Sequence, residues 1–137
     1  MDHPLSQTRD TPNAEANGTQ IMSSQVLHIE DAVQLIEHDP RDVHAQLHSG
    51  EALLVDVREA SEYENERIPG SFLMPLSFFD AEHFPYIPGK RVILMCAVGK
   101  RSAAAAKQLH NAGFRTVHHM KGGLTAWKEH GLKTDED

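Results

Sequence analysis

The chain of 137 residues carries one cysteine, Cys96. A single thiol excludes an internal disulfide framework and any zinc site built on several thiolates. No apolar run approaches the ~18–20 residues of a membrane-spanning helix, so no membrane partner is expected. Residues 1–25 show no basic start followed by an apolar stretch, which argues against a secretory signal. A lone cysteine without an export signal fits a reducing compartment, and the expected location is cytoplasmic. No internal repeat is visible, and the one low-complexity piece is the run Ala103–Ala106. Lys and Arg together number 13 against 20 Asp and Glu, and the net charge is −7, a poor combination for a nucleic-acid binder. What remains is the composition of a soluble globular domain, 39% hydrophobic and 24% charged, sufficient for one compact unit.

The charge is unevenly spread. Residues 25–89 carry a net −10 and residues 90–133 a net +8. Either the two stretches pair with each other in the fold, or the basic one frames a site for anions; both can hold.

Residues 1–24 read as a flexible tail, polar and without periodicity. Residues 25–133 form the domain, and residues 134–137 an acidic tail. A short helix is expected over about Glu30–His38, from Val33, Leu35 and Ile36. Asp39–Pro40 has the form of an N-cap followed by a first-turn proline. Val43 and Leu47 continue that helix to Gly50. Leu53–Val57 is a nearly continuous apolar run, as in a strand buried on both faces. Phe72–Met74, stopped by Pro75, is a weaker strand, and Val92–Met95 a second buried one. Ser102–Asn111 reads as a helix ended by Gly113, Thr116–His118 as a short strand, and Leu124–His130 as a last helix ended by Gly131. This alternation predicts an α/β fold with a parallel sheet covered on both faces.

In that frame Cys96 stands at the carboxyl end of a buried strand, where open α/β sheets bind ligands. Ala97-Val98-Gly99-Lys100-Arg101 follow, and then the helix opening at Ser102. Such a loop can turn several backbone N–H groups inward as an anion nest. The helix N-terminus and the bases Lys100 and Arg101 add positive potential. Each of these favours a thiolate over a thiol. Gly99 allows a positive φ that a side chain would resist. The alternative fate of a lone cysteine, a small buried hydrophobe, does not account for the glycine, the bases and the helix start together.

Four motifs in order resemble the rhodanese (sulfurtransferase) homology domain, over about residues 39–132. They are Leu54-Val55-Asp56-Val57-Arg58-Glu59 with Glu62-Tyr63, then Arg67-Ile68-Pro69-Gly70-Ser71, then Cys96 through Ser102, then Gly122-Gly123-Leu124 with Trp127. Arg67 stands where the family usually has His. The third motif is similar to the Cys-x-x-Gly-x-Arg-Ser/Thr loop of small prokaryotic single-domain members. The resemblance implies a three-layer fold with about five parallel strands, helices on both faces and no cofactor. It implies double displacement. The Cys96 thiolate takes a sulfane sulfur from thiosulfate, a persulfide or a polysulfide, and a thiophilic acceptor then removes it. Partners would be small sulfur-containing anions or thiols, or a sulfur-acceptor protein. Ala97, Val98, Gly99, Lys100, Arg101 and Ser102 would form the sulfur-binding loop. The animal mitochondrial thiosulfate enzymes have two basic residues directly after the cysteine. Ala97 and Val98 depart from that pattern.

Two other functions fit the same features. One is a non-catalytic rhodanese-like binding module, although such modules usually lack the cysteine. The other is a cysteine-loop phosphatase or arsenate reductase. Phosphatases of this fold use Cys-x5-Arg, whereas Cys96 to Arg101 is Cys-x4-Arg, a tighter cradle suited to one sulfur atom. Asp56 and Arg58, at the end of their strand, are expected to form an ion pair that fixes the loop. Trp127 is expected in the core, Gly122-Gly123 in a tight turn, and Phe72, Phe78, Phe79 and Phe84 in the core or as an apolar rim. His118-His119 is a poor chelate, because adjacent strand residues point to opposite faces, so no metal site is expected.

Overall fold

The computed structural model describes residues 25–29 and 33–136. The expected tail, residues 1–24, lies outside them. The described residues begin with two strands, β1 (Gln25–Ile29) and β2 (Val33–His38), and helix α1 (Pro40–Ser49) follows. Strand β3 (Ala52–Asp56), helix α2 (Ala60–Asn65) and the short strands β4 (Glu66–Arg67) and β5 (Phe72–Leu73) come next. Two 3₁₀ turns, Leu76–Phe78 and Ala81–His83, lead to strand β6 (Arg91–Met95) and helix α3 (Lys100–Asn111). Strand β7 (Thr116–Met120), helix α4 (Gly123–Glu129) and strand β8 (Asp135–Glu136) complete the order.

The main sheet runs β1-β2-β7-β6-β3-β5. Five of its strands are parallel, and β1 joins the edge antiparallel to β2. The helix expected over Glu30–His38 is thus a strand over Val33–His38. Pairing decides the matter: β2 docks in parallel register on β7, with Leu35 opposite Val117 and Glu37 opposite His119. Alternation along β2 then sends Leu35 into one core layer and His38 to the other face. The next segment follows its local signals. Asp39 caps α1 by accepting from Arg41 N–H at 2.8 Å, Pro40 is the first helical residue, and Gly50 closes the helix at φ 83°.

Each face of the sheet carries its own core. On one, α3 packs Ala105, Ala106 and Leu109 against Leu35, Val55, Val57, Leu94 and Val117, with Phe114 closing the end. On the other, α1 and α4 bring Val43, Leu124 and Trp127 onto Leu54, Ile93, Met95 and Met120. Trp127 is buried, and its Nε1–H donates to Lys133 O at 2.9 Å. Phe79 and Phe84 pack on the first core, tilted against each other, and Phe84 meets Phe114 edge-on, whereas Phe72 and Phe78 are exposed. Of the acidic C-terminal segment, Asp135 and Glu136 form β8 against β4, and Thr134 Oγ1 donates to Glu66 at 2.7 Å. Among the described residues no helix is long and apolar enough to cross a membrane.

Candidate active site

Cys96 directly follows β6, at the carboxyl ends of the parallel strands, and is 1% exposed. Its Sγ accepts N–H bonds from Gly99 at 3.1 Å and from Ser102 at 3.3 Å. Both donors belong to the start of α3, which opens at Lys100 with Gly99 as its N-cap. The helix therefore begins two residues earlier than its apolar pattern suggests, and the positive end of its dipole lies at the sulfur. Gly99 has φ 105°, the left-handed conformation that aims its N–H at Sγ.

The opposite side of the loop is tied down by α4. Leu124 N–H donates to Cys96 O at 2.8 Å, and Thr125 N–H to Ala97 O at 3.0 Å. With those carbonyls turned outward, N–H groups of the loop are left to face the sulfur. A Cβ on Gly123 would lie 2.3 Å from Cys96 O and 2.5 Å from both Ala97 C and Ala97 O. Gly122-Gly123 thus does more than form a tight turn. It lets one helix end touch the backbone of Cys96 and Ala97.

The other loop residues differ in placement. Ala97 is half-buried, Val98 is exposed, and Lys100 is exposed. Arg101 forms a two-pronged ion pair with Glu62 of α2, at 2.7 and 3.0 Å. Hydrogen bonding to Arg101 holds the Glu62 carboxyl down to about 2, and the same contact raises Arg101. Ser102 is fully buried; its Oγ lies 3.7 Å from Cys96 Sγ, 3.1 Å from Gly99 O and 2.8 Å from His119 Nδ1.

Asp56 and Arg58 do form the expected pair. It is buried, with Nη2 to Oδ2 at 2.8 Å and Nε to both carboxylate oxygens at 3.0 and 3.1 Å. Its outward bond runs from Arg58 Nη2 to Glu66 O at 2.7 Å, so the loop it braces is its own, between β3 and β4. Asp56 reaches the cysteine loop at longer range, as one of the negative charges favouring ionised Arg101.

Two groups beside the cysteine loop had no signal of their own in the sequence. Glu62 was visible as part of a motif, not as the partner of Arg101. His119 was weighed as half of a His-His pair, yet the two rings separate: His118 meets His38 Nε2 at 2.9 Å on one face, and His119 meets Ser102 on the other. Among the described residues no group of three or more His, Cys, Asp or Glu side chains could hold a metal ion.

A lone cysteine in an N–H nest, between a parallel strand and a helix start, defines an α/β protein of the cysteine-loop class. The chain matches the rhodanese-like domain over residues 39–130, and it belongs to that family. It is 42% identical over 82 residues to an uncharacterised protein of Synechocystis, a match covering 60% of this chain and 46% of that protein. It is 30% identical over 82 residues to a sulfurtransferase of Allochromatium vinosum, covering 60% of this chain and 77% of that one. A rhodanese-related protein of Thermoplasma volcanium shares the fold with a TM-score of 0.62 at 26% identity, over 74% of this chain and 98% of that chain. The match therefore spans less than half the length of the Synechocystis relative.

Proposed function

We propose that the protein is a sulfurtransferase that carries a sulfane sulfur as a persulfide on Cys96. The observation that carries this reading is the pair of N–H bonds from Gly99 and Ser102 to Sγ, at 3.1 and 3.3 Å. Such donors stabilise sulfur as an anion, which is the nucleophilic form. The thiolate attacks the sulfane sulfur of the donor, and the donor's S–S bond breaks with its electron pair leaving on sulfite or a thiolate. The new persulfide anion is stabilised by the same kind of inward N–H groups. An acceptor nucleophile such as cyanide, a small thiol or a protein thiol then takes the outer sulfur and returns the Cys96 thiolate.

The donor class comprises thiosulfate, persulfides and polysulfides. Glu62 pairs with Arg101, Lys100 is exposed to solvent, and residues 97 and 98 bring no charge. Excess positive charge beside the sulfur is therefore small, which favours no strong preference for the thiosulfate dianion over a singly charged persulfide. The test is Cys96→Ser, assayed with thiosulfate and cyanide and with a persulfide donor and a thiol. Oxygen is similar in size but a far weaker nucleophile toward sulfur, so both activities should vanish while the fold persists. Activity retained in the variant would overturn the reading.

A further inference from the structure

Cys96 stands at the inner end of a chain of polar side chains that leads out of the core. Cys96 Sγ lies 3.7 Å from Ser102 Oγ, Ser102 Oγ 2.8 Å from His119 Nδ1, and His119 Nε2 3.0 Å from Glu37 Oε2. Cys96, Ser102 and His119 are 1%, 0% and 3% exposed, while the Glu37 side chain is 19% exposed. The chain thus begins at a buried sulfur and ends at solvent. The sheet register builds it, since Glu37 on β2, His119 on β7 and Leu94 on β6 lie side by side. Buried polar groups in such a series fix one another's protons. Glu37, when ionised, only accepts, so His119 Nε2 carries a hydrogen and Nδ1 is left to accept from the Ser102 hydroxyl, whose single hydrogen is shared between Nδ1 at 2.8 Å and Gly99 O at 3.1 Å.

We infer that Glu37, His119 and Ser102 form a proton relay that takes the thiol proton of Cys96. Ser102 is the member that touches the nucleophile; His119 and Glu37 are positioning residues that act through it. This rests on the reading of Cys96 as a nucleophile. In the step, the S–H bond of Cys96 breaks and its electron pair stays on sulfur. The proton passes to Ser102 Oγ as the Ser102 hydroxyl proton passes to His119 Nδ1. The result is a thiolate facing a hydroxyl donor and an imidazolium held by the Glu37 carboxylate. No oxidant, metal or further reactant is required, and the reverse transfer protonates the leaving Cys96 sulfur after discharge. Among the described residues the His119 ring is hydrogen-bonded to Glu37 from β2 and Ser102 from α3, and its charge is also felt by His38 across the sheet. Cys96 lies beyond Ser102, and His38 and His118 interact with each other on the other face of the sheet.

The test reads the thiol directly, so it stands even if sulfur transfer does not. The rate of Cys96 alkylation by iodoacetamide would be followed from pH 6 to pH 10 in the full chain and in His119→Asn, Glu37→Gln, Ser102→Ala and Ser102→Thr. His119→Asn and Ser102→Ala should slow alkylation at pH 7 about tenfold, the worth of one strong hydrogen bond. Their rates at pH 10, where a thiol ionises unaided, should match the parent. Glu37→Gln should slow it about threefold at pH 7, and Ser102→Thr, which keeps the hydroxyl, should restore the parent profile. Steady-state sulfur transfer should lose kcat with KM nearly unchanged. Should His119→Asn fail to fold, Glu37→Gln and the two Ser102 variants decide the matter. Superimposable alkylation profiles across the folded variants would overturn the relay. Absence of persulfide in a chain whose profiles do shift would instead count against sulfur transfer alone.

Discussion

Replacing Gly123 by alanine tests how the backbone of Cys96 is held, and Gly131→Ala supplies an internal reference. Both glycines have positive φ, 63° and 75°. An alanine in that conformation costs roughly 1–2 kcal/mol at either site. At Gly131 nothing lies within 4 Å of the added Cβ, so that cost is the whole effect. At Gly123 the Cβ meets Cys96 O at 2.3 Å and Ala97 C and O at 2.5 Å, all backbone atoms that no rotamer change can move. Restoring ordinary contact requires the start of α4 to retreat by roughly an ångström. The bonds from Leu124 and Thr125 to Cys96 O and Ala97 O, now 2.8 and 3.0 Å, would then be lost. At about 1 kcal/mol each, and with looser packing of the buried Leu124 and Trp127, the penalty reaches roughly 3–5 kcal/mol. In a domain of this size, each kcal/mol lowers Tm by about 4 °C. Gly123→Ala should therefore melt at least ~8 °C below Gly131→Ala in a calorimetric scan. Its sulfur-transfer rate should fall as well, because the outward carbonyls set the inward N–H groups. Equal melting temperatures for the two variants would refute the argument that this close approach holds the loop.

Other outcomes follow from the charged groups. Arg101→Ala should slow turnover more than Lys100→Ala, since it also leaves Glu62 unpaired beside the site and unties α2 from α3; comparing kcat/KM with thiosulfate for the two variants checks the order. Because Glu62 has its carboxyl held down to about 2 against an ordinary 4.5, the stabilisation from that pair is complete above pH 4.5 and is lost as pH falls toward 2. Asp56→Ala leaves the Arg58 guanidinium buried without its carboxylate, and should cost about 3–5 kcal/mol in a urea titration. His38 is held neutral by burial, down to about 3 from 6.5, and burial lowers His118 in the same direction. The unfolded chain then binds more protons than the folded one between pH 6.5 and 3, so stability is lost as pH is lowered through that window and regained as it rises. At pH 5 His38 alone accounts for about 2 kcal/mol, and His38→Gln should flatten that part of the stability–pH curve.

The setting of Cys96 was legible because its signals are local. A buried apolar run, a cysteine, a glycine and a helix start follow one another within about twenty residues, and the structure assembles them in that order. The acidic and basic stretches pair as their charges suggest, through Glu62 with Arg101 and Glu66 with Lys128. What was hidden depends on register. Val33, Leu35 and Ile36 suit a helix or a strand, and only docking on β7 selects the strand. The contact between Glu37 and His119 joins residues far apart in sequence, and no spacing rule relates them. Helix α2 buries none of its residues and has no apolar periodicity to reveal it. It is held by the capping box of Glu59 and Glu62 and by Arg67, which donates to Tyr63 O and Glu64 O at 3.0 Å. The role of Gly123 emerges only when the backbone it touches, some 27 residues earlier, is in place.

The most direct test of sulfur transfer through Cys96 is intact-protein mass spectrometry after incubation with thiosulfate or a polysulfide. The expected result is a gain of one sulfur atom, located on Cys96 by peptide mapping, removed by cyanide or a thiol, and absent from Cys96→Ser. A chain whose mass is unchanged by every sulfane-sulfur donor, while Cys96 remains open to alkylation, would contradict it.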